Sequence, residues 1–309
     1  MFLKYKYLLK LGMLCKQNIT KSIYRNVSSK KMKHNMNFWP HIKISRNING
    51  KIDAVSFNKK SININEFPKK SEKPLIIIAS GPSVSTIKTD FFDDTKFDIM
   101  GVNGSYELSP EVKFKYHVII DRTFILNRKN IVLNILKDNE LILFTTMDCL
   151  NDILIHYGYL ELKCKVIIIE NIDQPVYQQE KELFEIKSDE IIIQNSVAFS
   201  LNLNLGFYNG TTVAYSALQI AFFLGYKEIY FAGLDMNNFS KPRFYETQND
   251  KLDTKLNNNL HDFIIPCFNL AHEIAIRKGV KIYNLSKNSA INSFETWIHI
   301  ISATSLIWK

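Results

Sequence analysis

Leu75-Ile76-Ile77-Ile78-Ala79-Ser80-Gly81-Pro82-Ser83 runs an apolar segment straight into a small polar turn. Three successive Ile residues favour an extended strand covered on both faces, the pattern of a parallel sheet. Gly81 is expected to supply a backbone shape closed to other residues, and Pro82 fixes the φ that follows. Ser83 and Ser85 are expected to cap a helix whose free N–H groups face the crevice. Open α/β sheets bind phosphorylated ligands at such strand–turn–helix openings.

Outward from this strand the chain alternates strand and helix signals. Strands are predicted at 75–79, 98–102, 116–120, 141–145, 165–169, 190–193, 228–232 and 280–283. A helix is predicted from Thr211 to Leu224, opened by Gly210-Thr211-Thr212 and closed by Gly225. A second runs from about Leu260 to Lys278, closes at Gly279, and is started or kinked by Pro266. The predicted fold is α/β, a doubly wound, mostly parallel sheet with helices on both faces.

The 309 residues suffice for one large α/β domain, 74–309, preceded by a basic extension, 1–73, with a few short strands. Residues 1–60 hold 14 Lys/Arg and one acid, Asp53, a balance of +13; the whole chain carries +9, which leaves residues 61–309 at −4. The basicity therefore belongs to the arm, which argues against a nucleic-acid-binding body. The segment from Met1 to Leu14 is apolar but broken by three lysines. It reads either as an interfacial helix on an anionic leaflet or as a disordered basic tail. No run of 18 apolar residues is present, and the four cysteines form no C-x-x-C pair, which fits a reducing cytoplasm.

Two further segments point to the same sheet edge. The helix opening at Gly210-Thr211-Thr212 offers hydroxyls and backbone donors to an anion, and Asp235 follows the strand 228–232 at its carboxyl end. Each residue alone reads equally as a local cap. No Asp-x-Asp pair follows a strand; Asp93-Asp94 reads as a solvated turn, so no obligatory metal is expected. His117 reads as a core or edge residue, and no histidine pair shows zinc spacing.

Together with Gly101-Val102-Asn103-Gly104-Ser105, Val118-Ile119-Ile120-Asp121, Leu224-Gly225-Tyr226-Lys227-Glu228-Ile229-Tyr230, Gly233-Leu234-Asp235, Arg243-Phe244-Tyr245-Glu246 and the run 280–289, these segments resemble a known family. It is the bacterial CMP-sugar glycosyltransferases of lipopolysaccharide assembly, namely the lipopolysaccharide-core Kdo transferases and the sialyltransferases of Gram-negative mucosal bacteria. The likeness covers about residues 74–292 and implies a Rossmann-like, GT-A-like fold. It implies that Ser80, Gly81, Pro82, Ser83 and Asn103 hold the cytidine monophosphate of a CMP-sugar donor. Gly210, Thr211 and Thr212 are implied to contact the sugar carboxylate or phosphate, with Asp121 and Asp235 on the same rim.

The implied reaction moves Kdo or sialic acid to a lipopolysaccharide or lipooligosaccharide core sugar at the inner-membrane surface, with no nucleic acid and no obligatory cofactor. Such a reaction needs a base for the acceptor hydroxyl and neutral donors for the departing phosphate. The resemblance implies His261 as base and Tyr245 as phosphate donor; Met236-Asn237 stands where the sialyltransferases carry a further tyrosine. Two alternatives are a pyrophosphokinase resembling the archaeal-type pterin diphosphokinases, through the Gly-Pro-Ser turn, and a catalytically degenerate nucleotide-sugar-binding protein.

Overall fold

A computed structural model describes residues 18–296. The reading of residues 1–14 as interfacial helix or tail lies outside them. In chain order the strands are β1 Ile42–Arg46, β2 Ile52–Phe57, β3 Lys60–Ile62, β4 Leu75–Ile78, β5 Asp98–Val102, β6 Tyr116–Ile119, β7 Ile142–Thr145, β8 Lys165–Ile168, β9 Ile191–Gln194, β10 Val197–Ser200, β11 Glu228–Ala232, β12 Lys281–Asn284 and β13 Glu295–Thr296. Residues 18–27 are helical (α1). They are followed by α2 Arg122–Asn127, α3 Lys129–Lys137, α4 Met147–His156, α5 Val213–Phe223, α6 Leu256–Asn259 and α7 Ile265–Lys278.

The chain forms two compact units, one of residues up to 66, 119–186 and 204–206, the other of the remainder. In the first unit β1, β2 and β3 make an antiparallel sheet, while β7 and β8 pair in parallel. Arg46 of β1 grips the Glu170 carboxylate beyond β8 through both guanidinium Nη atoms, at 2.9 and 2.7 Å. Arg122 of α2 holds buried Asp152 of α4 at 2.6 Å.

The second unit carries the sheet that matters for function. Its order is β13-β12-β11-β4-β5-β6, all parallel, with Ile229 opposite Leu75 and Leu75 opposite Asp98. Every residue of β4 and β5 is buried, as continuous apolar runs in parallel strands require. From β4 the chain steps to β5 and β6 on one side, and later returns to β11 and β12 on the other. The direction of crossover therefore reverses between β4 and β11, the topological switch point of a doubly wound sheet, where ligands bind beyond the carboxyl ends.

The helix α5 is buried nearly all round and packs on β4 and β5. Gly225 ends it as expected: at φ 81° it lets Tyr226 N–H reach the Ala221 carbonyl (3.1 Å) and its own N–H reach that of Phe222 (3.0 Å). Gly279 closes α7 with the same pair of bonds. Pro266 lies in the first turn of α7, and directly before it the helix widens into a π turn, Leu260–Ile264.

One predicted core strand is something else. The run 191–193 reads like a buried parallel strand, yet β9 folds back on β10 as an antiparallel hairpin around Asn195, which takes φ 55°. The Gln194-Asn195-Ser196 turn, not the apolar run, decides its partner.

Asp98, at the start of β5, is a buried acid in this sheet's base. It accepts Tyr226 Oη–H at 2.5 Å and Lys115 Nζ–H at 2.8 Å. Burial works against its charge, but bonds from Lys115, Ser71 and Tyr226 outweigh that and hold its pKa below the ordinary value. A depressed carboxyl stabilises the fold above the unfolded pKa and loses that contribution as pH falls through the folded one. Tyr226→Phe should therefore cost about 2 kcal/mol in urea unfolding at neutral pH, and should move the acid-unfolding midpoint upward.

Candidate functional site

The turn after β4 and the end of β11 are built as one piece. Ala79 N–H donates to the Ala232 carbonyl (2.8 Å) and Gly81 N–H to that of Gly233 (3.0 Å), extending the strand pairing past both strand ends. Gly233 takes φ 77°, and a Cβ there would lie 2.4 Å from Val84. Asp235 is buried, and its Oδ2 accepts Ser83 N–H at 2.9 Å while Oδ1 accepts the Ser83 hydroxyl. Ser286 Oγ stands 2.9 Å from Ser83 Oγ, adding a second hydroxyl.

This corrects the expectation for the turn in two respects. Gly81 has an ordinary extended backbone, φ −66° and ψ 151°. Glycine is needed for space, since a Cβ would fall 2.5 Å from both Asp235 Oδ2 and the Gly233 carbonyl. Ser83 does not cap a regular helix either. Only a 3₁₀ turn, Pro82–Thr86, follows, and the Ser83 N–H is spent on Asp235. Asp235 is thus a clamp on the turn, bonded by Ser83 at both carboxyl oxygens.

The second wall comes from Asn103 and from residues 243–246. Asn103 follows β5 at φ 47°, and its Oδ1 is buried without a protein partner. The ring of Tyr245 lies flat over Gly104, where a Cβ would meet its Cε1 and Cζ at 2.3 Å. Phe244 N–H reaches the Ser80 carbonyl at 3.4 Å, so this segment touches both the first turn and the end of β5. The Glu246 side chain is fully buried and ties the segment up, accepting Arg243 N–H (3.0 Å) and Nη1–H (2.8 Å). Ser80, Gly81, Pro82, Ser83, Asn103, Tyr245 and Asp235 are therefore joined, directly or through neighbours, at the switch point of the second unit.

The remaining sequence-predicted residues fall as follows. Gly210 and Thr211 both take left-handed φ, 57° and 61°, unusual for a β-branched residue, just before Thr212, the N-cap of α5. Thr212 is buried and is the cap by backbone only; its side chain makes no capping bond, contrary to the expected cap. Thr211 is exposed. Because α5 feeds β11, its N-terminus lies at the carboxyl edge of the sheet. Asp121 belongs to the first unit, where its carboxylate caps α2 by accepting Thr123 N–H at 2.8 Å. His261 is exposed on the π turn before α7. Among the described residues no group of three His, Cys, Asp or Glu is placed to hold a metal. Asp93 closes a solvent-facing turn by accepting from Thr95, whose hydrogen bonds lower its pKa to about 2.

The sequence reading gave no role to the loop after β12. Asn284 and Ser289 side chains both donate to the Leu234 carbonyl, at 3.2 and 2.6 Å, and Ala290 N–H donates to that of Asp235 at 2.8 Å. These residues hold the Gly-Leu-Asp loop in place across some fifty residues of sequence, a distance no local pattern reports.

The fold is that of a doubly wound α/β protein, with the residues joined above standing at the switch point of its parallel sheet. The family described as 3-deoxy-D-manno-octulosonic acid transferase WaaZ matches residues 57–302, and the chain belongs to that family. A probable 3-deoxy-manno-octulosonic acid transferase of Escherichia coli (strain K12) is 29% identical over 248 residues, covering 74% of this chain and 83% of that protein. Its counterpart in Salmonella typhimurium is 26% identical over 246 residues, covering 72% and 86%. Among solved structures, the sialyltransferase CstII from Campylobacter jejuni, in complex with a substrate analogue, cytidine-5'-monophosphate, aligns with TM-score 0.41 and 18% identity over 74% of this chain and 85% of that one. The monofunctional α-2,3-sialyltransferase Cst-I from the same organism aligns with TM-score 0.41 and 16% identity over 77% and 86%. Family membership makes the protein a glycosyltransferase of lipopolysaccharide assembly and sets the pterin diphosphokinase alternative aside.

Gly81→Ala tests the clamp. The added methyl must push the turn off Asp235, so the variant should lose about 1–3 kcal/mol of stability and most of its transferase activity. Asp235→Asn, which keeps an acceptor for Ser83 N–H, should lose less of both. Chemical denaturation and initial rates on the same preparations read both effects.

Proposed function

We propose that the protein transfers 3-deoxy-D-manno-octulosonic acid from its CMP conjugate to a sugar of the lipopolysaccharide core. The observation that carries this reading is the junction at the switch point. There an asparagine with an unpartnered amide oxygen and a tyrosine ring meet a glycine turn locked by Asp235. A CMP-ulosonic acid already carries a good leaving group, so the enzyme has to orient the nucleotide, donate to the departing phosphate and deprotonate the acceptor hydroxyl.

In this reading Asn103 and the backbone of Ser80–Pro82 orient the nucleotide, and the Tyr245 phenol donates to the phosphate. Thr211 and Thr212, at the N-terminus of α5, face the anionic part of the donor. His261 acts as base from the π turn, a position open to an incoming acceptor. Asp121 has no part in donor binding on this reading, because capping of α2 occupies its carboxylate. The test is nucleotide release from a panel of CMP- and UDP-sugars with a core acceptor present. CMP should appear from CMP-Kdo and not from UDP-sugars, and His261→Ala should lower kcat by about 10²–10⁴. Release from CMP-sialic acid alone would change the sugar. Binding of CMP without turnover by the wild type would favour the degenerate binding protein.

The acceptor is an amphiphile, and the described part of the arm suits a membrane surface. Ile19, Ile23 and Val27 of α1 share one face and are 61%, 48% and 75% exposed, within a segment rich in Lys and Arg. On this reading the protein works peripherally at the inner leaflet. No described helix is long and apolar enough to cross a membrane. Sedimentation with vesicles containing anionic lipid should recover the protein, and Ile19→Ser with Ile23→Ser should reduce that recovery severalfold while leaving turnover on a soluble acceptor intact.

A further inference from the structure

We infer that His117 is a positioning residue, which holds Asn103 for nucleotide binding by donating from Nε2 to the Asn103 main-chain carbonyl. The inference rests on the reading of Asn103 given above. His117 is in β6, paired opposite Gly101 of β5. A Cβ at position 101 would lie 2.5 Å from His117 Nδ1 and 2.5 Å from Ser105 Oγ, so the imidazole uses the space that glycine leaves. Tyr106 and Phe114 stand edge-on to the ring at 5.6 and 5.9 Å. The groups facing His117 from the packed elements are thus two aromatic rings, one hydroxyl and peptide; none of them is charged.

These surroundings settle the proton. Complete burial disfavours the imidazolium and moves the pKa down to about 4, so the ring is neutral in ordinary buffers. A neutral ring has a single N–H. Nε2 lies 2.8 Å from the Asn103 carbonyl oxygen, which only accepts, so the proton sits on Nε2 and Nδ1 is bare.

The bond acts where the chain most needs it. Asn103 takes the left-handed conformation, φ 47°, which an L-residue adopts reluctantly. Fixing its carbonyl fixes that peptide, and so the direction in which the Asn103 amide leaves the main chain. The same peptide leads into Gly104, the floor under the Tyr245 ring. One buried donor therefore governs the orientation of both the amide and the surface beneath the phenol. An ordinary packed core histidine, by contrast, would serve stability alone.

The experiment combines three readouts. His117→Phe keeps an aromatic ring between Tyr106 and Phe114 but removes the donor, and should weaken CMP binding by about tenfold or more, with the donor KM rising more than kcat falls. His117→Gln restores a donor near the Nε2 position and should stay within about threefold of wild type. In an Asn103→Ala background His117→Phe should add less than about a twofold loss, because the two act as one unit. Nitrogen-15 NMR of the ligand-free wild type should show the neutral Nε2–H tautomer at pH 7, a readout that needs neither the variants nor the nucleotide. Wild-type CMP affinity in a folded His117→Phe, a fully multiplicative loss with Asn103→Ala, or an Nδ1–H or charged ring would each overturn the inference. Failure of wild-type protein to bind CMP would defeat the functional reading instead, and the NMR tautomer would still decide whether His117 holds Asn103.

Discussion

The buried carboxylate of Asp235 holds the first turn of the sheet by its backbone and by its hydroxyl at once. Hydrogen bonds to a charged group are worth roughly 1.5–3 kcal/mol each, so the Ser83 contacts form a strong local fastening. They are possible only because Gly81 lets the main chain approach the carboxylate more closely than any side chain would allow. Their consequence is geometric. The turn after β4 and the loop after β11 flank the place where strand order reverses, and joining them fixes one wall of the crevice. The other wall, through Asn103, Gly104 and Tyr245, then closes on a rigid edge.

In the proposed reaction the groups assigned to the donor's anion are neutral ones. The carboxylate of Asp235 is turned into its own donors, and the guanidinium of Arg243 is bonded to Glu246. What the described walls present is amide, phenol, hydroxyl and peptide. Such donors cost little reorganisation when charge develops on a leaving phosphate, provided they are held in place beforehand. This explains why so many residues here have positional rather than chemical tasks: Gly81, Gly104, Gly233, Asn284, Ser286 and Ser289 make room for or tether others.

Much of the fold could be read from the chain because its signals are local. The Ile run of β4, the glycine stops of α5 and α7, and the strand–helix alternation each follow from a few neighbouring residues. The hairpin β9–β10 departs from the expected parallel strand because an apolar triplet does not specify its partner. The site was legible as a set of residues but not as a set of roles. Gly81 looks like a conformational glycine and is a spatial one; Asp235 looks like a ligand contact and is a clamp. The contact of Tyr245 with Gly104 spans 141 residues, which no spacing rule reaches. The block Leu224–Tyr230, one of the segments that carry the family likeness, has structural tasks. Gly225 ends α5, Tyr226 bonds Asp98 in the base of the sheet, and Tyr230 stacks on Tyr283 with centroids 5.1 Å apart.

That division of labour bears on what holds an enzyme of this kind to its task. The residues 224–230 build the frame, whereas those placed at the crevice are mostly short polar side chains that occur everywhere. Specificity must then arise from where the frame puts them, and a displacement of about 1 Å in such a group is enough to lose two orders of magnitude in rate. A bond such as the one from His117 to the Asn103 carbonyl is the means by which a frame reaches the crevice: it adds no reacting group, yet it decides where an amide points. The same logic applies to the arm. With the body of the chain at −4 and the first sixty residues at +13, the net positive charge is confined to a stretch of sequence that holds none of the crevice residues. In the proposed reaction, finding the membrane and recognising the donor are consequently separable properties of one chain.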